Sequence, residues 1–411
     1  MNYFIRMSNQ HVSLLVLFFV FIYKDFFGVI IGGAENYLAL AAILYVFAVF
    51  LINLILKENS VKVSSSLLVF MLLVIFLLVH FVFSMLFKPD VIGYGNVVQS
   101  FRLLFIPLLL SMVIVACPVD RRFLVKVVYL SIPLYVFSLI EFFLPLSVVE
   151  MMYNLTKEDG GAPFSNSAYF FWEFGYPIAR LGSLFFSPLT FGIYTFYMIV
   201  TLSLIYKDRW YRFIVGLIGL LTLVKSFYVY LMMFFTIRNR YSGMFLLLGV
   251  VVMPLVIILL YVFFLSKGES INLMTLGPHV DGVISGVLNA FGSPLWGNGL
   301  GTSGYLNVLS YRANGLDLVA ISNSLLPNLV VRGIGSESAL GVMVYQLGFV
   351  YLMLFILLQV LIITKLFKVK SFSVSAVFLA GIVVFVLSES FYTLLLFVYP
   401  YALYSHVLQK K

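Results

Sequence analysis

Residues 67–87 read LLVFMLLVIFLLVHFVFSMLF, with no Lys, Arg, Asp or Glu among them. A bilayer core about 30 Å thick takes about 20 such residues as one helix. Comparable runs fall near 12–31, 37–56, 97–116, 123–149, 183–206, 211–224, 226–237, 243–265, 339–364, 373–390 and 391–408. The runs at 211–237 and the last two are short or abutting, so about ten to twelve spans are expected. Composition agrees: 63% of 411 residues are hydrophobic and 10% charged, more apolar surface than one soluble core buries. Mean hydropathy is +1.11. Apolar character uniform around the helix, with 43 Phe, points to helical spans, because a barrel strand alternates residue by residue. The expected fold class is an all-α polytopic membrane protein, one integral membrane domain over 1–411.

Lys24 and Asp25 interrupt the first run and no small-residue cleavage site follows it, so it reads as a retained span. The single cysteine, Cys117, lies at a span end and reads as a small apolar residue. Lys and Arg are retained on the cytoplasmic side of short connections. With both termini cytoplasmic, that side collects Arg6, Lys57, Lys62, Arg121, Arg122, Lys126, Lys207, Arg209, Arg212, Arg238, Arg240, Lys365, Lys368, Lys370, Lys410 and Lys411, 16 of the 25 basic residues. The two longest loops, 150–182 and 266–338, then face away from the cytoplasm. The net charge of +9 is a topology signal on this reading, and nucleic acid is not expected as a partner.

The first outer loop begins TKEDGGAP (156–163) and ends YFFWEFGYPIARLGSLFFSP (169–188). Its aromatic rings suit anchors at the membrane–water boundary and also suit stacking on sugar faces. Arg180 precedes the next apolar run. Its guanidinium can snorkel to the interface or grip a phosphate with its planar fork, and both readings stand.

The second loop concentrates His279, Asp281, Arg312, Asp317, Arg332 and Glu337 beside a glycine-rich turn, WGNGLGTSG (296–304). Pro278 suits a helix start, and Val280, Ile284, Val287 and Phe291 form an apolar stripe. That pattern predicts a helix on the bilayer surface or across the mouth of the bundle, with His279 and Asp281 at its N-terminal end. No metal-ligand spacing surrounds His279. Gly297, Gly299, Gly301 and Gly304 allow the turn either to fold tightly or to present N–H groups to an anion. It follows no evident strand and lacks the Lys–Ser/Thr pair of a phosphate-binding loop. The loop closes on RGIGSESALGVMVYQLG (332–348). Ser336 is expected to cap the next helix, leaving Glu337 in its first turn as a dipole-favoured carboxylate or as a general base. Charges inside spans, Arg102, Glu141, Lys225 and Glu389, are expected to face a cavity or each other.

Three stretches in this order, RLGSLFFSPLTFG (180–192), PLWGNGLGTSG (294–304) and SESALGVMVYQLG (336–348), resemble the O-antigen polymerase and ligase superfamily of bacterial envelopes. The resemblance implies a GT-C-type helical glycosyltransferase in the bacterial inner membrane, with a periplasmic active site. It implies undecaprenyl-diphosphate-linked repeat units as donor and acceptor, and a chain-length regulator as a possible partner. It implies no nucleotide-sugar, cofactor or catalytic metal, in keeping with the lack of a DxD pair. By position Arg180 matches the family's first diphosphate-binding arginine. Glu337 falls where ligases usually have histidine and many polymerases histidine or glutamate, which makes it the candidate catalytic base. His279 stands where the family commonly has arginine. Arg312 or Arg332 is the remaining cationic candidate, with Gly299 and Gly301 in the glycine turn as further substrate contacts. The glutamate favours a polymerase over a ligase that passes glycan to lipid A–core. A flippase is the reading from another class, and it predicts paired repeats with broken helices near mid-membrane.

Overall fold

The computed structural model describes residues 9–31, 34–55, 64–87, 93–144, 148, 170–171, 178–179, 181–185, 187–206, 210–238, 283, 286–287, 290–291, 293–302, 338–387 and 394–409. The expected span at 243–265 and most of the stripe at 280–291 lie outside them. So do Arg180, His279, Arg312, Arg332 and Glu337.

The chain is an all-helical polytopic membrane protein. Among the described residues, six helices are long and apolar enough to cross a membrane, or seven if one bent pair counts as a span. The bent pair is α1 (Asn9–Ile22) and α2 (Lys24–Ile31), which meet at 64°. The single straight span expected at 12–31 is therefore broken, where the charged Lys24–Asp25 pair interrupts the apolar run. Then come α3 (Glu35–Ile55), α4 (Ser65–Phe87), α5 (Tyr94–Ala116) and α6 (Arg121–Phe143). The helix expected to run to 149 stops at Phe143, with Leu144 extended at its C-cap.

The 150–182 loop contributes a two-residue antiparallel pair, β1 (Phe170–Phe171) with β2 (Ile178–Ala179). A 3-10 turn at Ser183–Phe185 precedes α7 (Pro188–Ile205). The expected span at 183–206 thus starts five residues late as an α-helix, because Ser187 caps it and Pro188 takes the first-turn position where a missing N–H costs nothing. Shorter helices follow, α8 (Trp210–Leu221) and α9 (Lys225–Arg238). After the large loop come α10 (Ala339–Lys368), α11 (Phe372–Leu387) and α12 (Leu394–Gln409).

These elements form two compact units, each gathered from distant parts of the chain. The first comprises 1–62, 113–232 and 399–411. In it α1 packs on α3 and α6, and α7 packs on α6 and α8. Its interior is aromatic: Phe18, Phe123, Tyr194, Tyr230 and Tyr399 are all fully buried. Their hydroxyls pair with small polar groups, as an intramembrane hydroxyl must. Tyr194 meets Ser131 Oγ, Tyr399 meets Thr201 Oγ1 at 2.8 Å, and Tyr197 meets Tyr230 at 3.2 Å. The unit also fixes sidedness. His11 contacts Pro118 O at 3.1 Å, His406 Nδ1 contacts Val119 O at 3.2 Å, and Arg121 donates to Ile205 O at 2.8 Å. The described start of α1, the end of α12 and the Arg121 connection therefore share one face.

The second unit comprises 63–112 and 233–398, with α10 packed between α4 and α11. Lys365 Nζ donates to Ser66 Oγ at 3.0 Å, so the end of α10 lies beside the start of α4. The two helices run antiparallel.

Candidate functional site

Two of the three stretches quoted for the resemblance are hydrogen-bonded to each other within the second unit. The helix α10 is broken at Gly348, whose φ of 74° and ψ of −178° leave the helical region. A broken helix strands carbonyls and N–H groups that lipid cannot satisfy. The glycine turn supplies the missing partners. Asn298 N–H donates to Tyr345 O at 2.8 Å, Gly299 N–H to Gln346 O at 3.1 Å, and Phe349 N–H to Pro294 O at 2.8 Å. The amide of Asn298 adds a second bond to Tyr345 O at 3.3 Å.

That contact needs glycine on both sides. Gly297, Gly299 and Gly301 all have positive φ, at 72°, 97° and 83°. A Cβ on Gly297 would lie 2.5 Å from Gln346 O, and one on Gly301 2.9 Å from Val97 N. Of the two possibilities open for the turn, tight folding is the one seen for 297–302. The N–H groups of 298, 299 and 300 are all taken by acceptors within the protein.

Helix α4 secures the turn from below. Leu300 N–H donates to Ser84 Oγ at 2.9 Å, Ser84 Oγ lies 3.2 Å from His80 Nδ1, and His80 Nε2 lies 2.6 Å from Trp296 O. A carbonyl can only accept, so Nε2 carries the proton. For a neutral imidazole Nδ1 is then the acceptor, and the Ser84 hydroxyl donates to it. His80 is 1% exposed. Phe76 stacks between the two, with ring centroids 5.4 Å from Trp296 and 5.8 Å from His80. Counting from Phe87, His80 sits about 10 Å down the helix, and Gly348 lies about 15 Å beyond Ser338. The glycine turn is irregular backbone whose polar groups are met by α4 and α10, so that protein groups stand in for water.

The start of α10 differs from expectation. Ser338 is the N-cap, its Oγ accepting from Gly341 N–H at 3.1 Å, and the helix begins at Ala339. Ser336, expected as the cap, and Glu337, expected in the first turn, lie outside the described residues. Serine recurs at 336 and 338, and the sequence offers no means of choosing between them. Gly286 packs against this helix start, where a Cβ would lie 2.5 Å from Gly341 Cα. The rest of the helix expected on the bilayer surface or across the mouth of the bundle lies largely outside the described residues. An apolar recess lined by Leu103, Pro107, Met343, Tyr351, Phe355 and Phe385 opens near the same helix start.

The third stretch lies in the first unit. Glu141, in the last turn of α6, is 4% exposed. Its Oε1 accepts from Gly182 N–H at 3.2 Å and its Oε2 from Ser183 N–H at 2.8 Å. Ser183 has a positive φ of 52°, and its hydroxyl donates to Leu134 O at 2.6 Å. Leu181 N–H reaches Leu221 O at 3.4 Å, and Gly192 in α7 admits Thr222 and Val224 at close range. Arg180 stands in sequence between strand β2 and this clamped segment. The in-span carboxylate was expected to face a cavity or a charge, and it binds backbone.

Of the sequence candidates, Gly299 and Gly301 are brought together in the turn. Arg180, His279, Arg312, Arg332 and Glu337 fall outside the described residues. Sequence reading missed His80 and Ser84. Their signal was a polar pair at i and i+4 in an otherwise apolar span, which places both on one face. Among the described residues no group of three or more His, Cys, Asp or Glu could hold a metal ion. Comparison with protein-family models, with curated proteins and with solved structures finds no match.

Proposed function

We propose that the protein is a surface-polysaccharide polymerase, moving a growing glycan from undecaprenyl diphosphate to the non-reducing end of a new lipid-linked repeat. The observation that carries this reading is the pairing of PLWGNGLG with VYQLGF across the break at Gly348. Two stretches read as one motif set from sequence are one structural unit.

The chemistry asks little of the protein. The acceptor hydroxyl oxygen attacks the anomeric carbon, the bond from that carbon to the diphosphate oxygen breaks, and undecaprenyl diphosphate departs with the electron pair. Glu337 takes the hydroxyl proton. Arg180, with His279, Arg312 or Arg332, holds the charge that builds on the diphosphate. Substituting Arg180→Ala and Glu337→Ala and running surface polysaccharide on a gel tests the reading. Loss of the ladder at normal protein level is expected, and a wild-type ladder removes these residues from the mechanism.

A flippase is the second reading. The breaks at Tyr23 and Gly348 favour it, since broken spans are how transporters build mid-membrane sites. Purified protein in detergent, given only lipid-linked repeats, separates the two. A polymerase lengthens chains there, and a flippase has no second compartment to serve. A ligase does nothing without its core acceptor.

A further inference from the structure

Arg102, in the third turn of α5, is a charge without a partner: among the described residues it makes no hydrogen bond and no ion pair. It lies within a membrane span, where such a charge is costly and marks a site by default. Counting from Tyr94, it sits about 12 Å along the helix.

The helix around it has two sides. Asn96, Val97, Ser100, Leu108 and Ser111 are buried and mark the packed side. Leu103 and Leu104 flank that side and line the apolar recess with Ala339 and Met343. Arg102 is exposed, and helical geometry sets it opposite the buried residues. Gly95 and Val98, seven and four residues earlier, share its face. Val98 is 46% exposed, and a Cβ on Gly95 would meet nothing within 4 Å. Side chains on a helix lean toward its N-terminus, which directs the arginine back over Val98 toward the gap at Gly95. Tyr94, also exposed, stands at the head of the helix, where an interfacial ring belongs.

We propose that Arg102 binds the phosphate of an anionic phospholipid, seated over Val98 in the gap left by Gly95. This face of α5 is open to lipid, and the anions that lipid brings to it are phosphates. A guanidinium fork takes two phosphate oxygens at once, which an ammonium does not. A zwitterionic headgroup carries its own cation, which competes for the same phosphate, so the anionic headgroup is the better match. Arg102 then anchors the lipid side of a helix whose other side walls the recess.

The test is native mass spectrometry of the full chain released from nanodiscs of equal phosphatidylglycerol and phosphatidylcholine. Wild type is expected to retain phosphatidylglycerol selectively. Arg102→Gln is expected to retain about tenfold less, the worth of one charge-assisted hydrogen bond. Arg102→Lys keeps the charge and loses the fork, and a loss of about threefold is expected. Arg122→Gln removes the same charge from an exposed position in α6 and is expected to match wild type. Equal retention of the two lipids by wild type, as snorkelling to water alone would give, overturns the inference. So does wild-type retention by Arg102→Gln, or an equal loss in Arg122→Gln. Undecaprenyl diphosphate added to the nanodiscs is expected to leave the bound phosphatidylglycerol in place. One-for-one displacement from wild type would give the site to that lipid instead, and the phospholipid assignment would fall.

Discussion

Gly297 and Gly348 meet backbone to backbone: a Cβ built on Gly348 would lie 2.7 Å from Gly297 N, and one built on Gly297 would lie 2.6 Å from Gly348 N. Neither residue tolerates a side chain, and each has a positive φ. The two glycines are what allow a loop to complete a helix broken inside the membrane.

Alanine at these positions should therefore act unequally. Gly348→Ala sets a methyl 2.4 Å from Leu295 O, against backbone that cannot turn aside. Gly299→Ala meets nothing nearer than Ser84 Oγ at 3.5 Å, so only its φ of 97° is penalised. The expected loss for Gly299→Ala is about 1–3 kcal/mol, and for Gly348→Ala at least about 4 kcal/mol. Thermal unfolding in detergent checks the order. Equal losses would refute the close contact.

Ser84→Ala leaves the Leu300 N–H buried without an acceptor, at a cost of about 1–3 kcal/mol. Ser84→Thr keeps the hydroxyl and should recover most of it. His80→Gln retains an N–H for Trp296 O and should be milder than His80→Leu, which leaves that carbonyl bare. Hydrogen exchange at 296–301 reads the effect directly. Unchanged protection in Ser84→Ala would mean that α4 does not hold the turn.

Ser338→Ala removes the cap of α10 and should cost about 1 kcal/mol, with Ser338→Asp restoring it. Under the polymerase reading the frayed first turn also displaces Glu337. Chain extension should then fall by more than the stability loss accounts for. Ser336→Ala should leave stability unchanged, which distinguishes the two serines.

Burial pushes the Cys117 thiol up to about 11. Because its folded pKa is raised, the neutral thiol is the form present below the unfolded value, and the stability it carries is lost only as pH rises through about 11. At neutral pH about a hundredfold less thiolate is expected than for a thiol at the ordinary value. Maleimide labelling of the folded protein at pH 7.5 should be slow and should become rapid in denaturant. Rapid labelling of the folded chain would place Cys117 at the surface.

The spans were legible because bilayer thickness sets helix length, and α3, α4 and α5 lie within a few residues of where the apolar runs put them. The breaks were not. Nothing in the apolar run around Gly348 separates a glycine that packs from one that interrupts, since the distinction depends on a turn 47 residues away. The glycine turn was legible as a turn, and its destination was not. Glu141 was legible as a costly charge, but backbone N–H groups carry no residue-type signal, so its grip on 182–183 was not. Arg121 shows the reverse case: read as a marker of sidedness, it also closes the C-terminal end of α7.

The glycine turn has a consequence for how the protein is made. Residues 294–299 leave the ribosome before 345–349, so the donors and acceptors that meet the break in α10 are synthesised first. The stretch after the break, 349–368, is long enough to enter lipid by itself, whereas the peptide groups at the break gain these partners only when the earlier segment docks. Docking of the turn is thus a late step of assembly, separable from insertion.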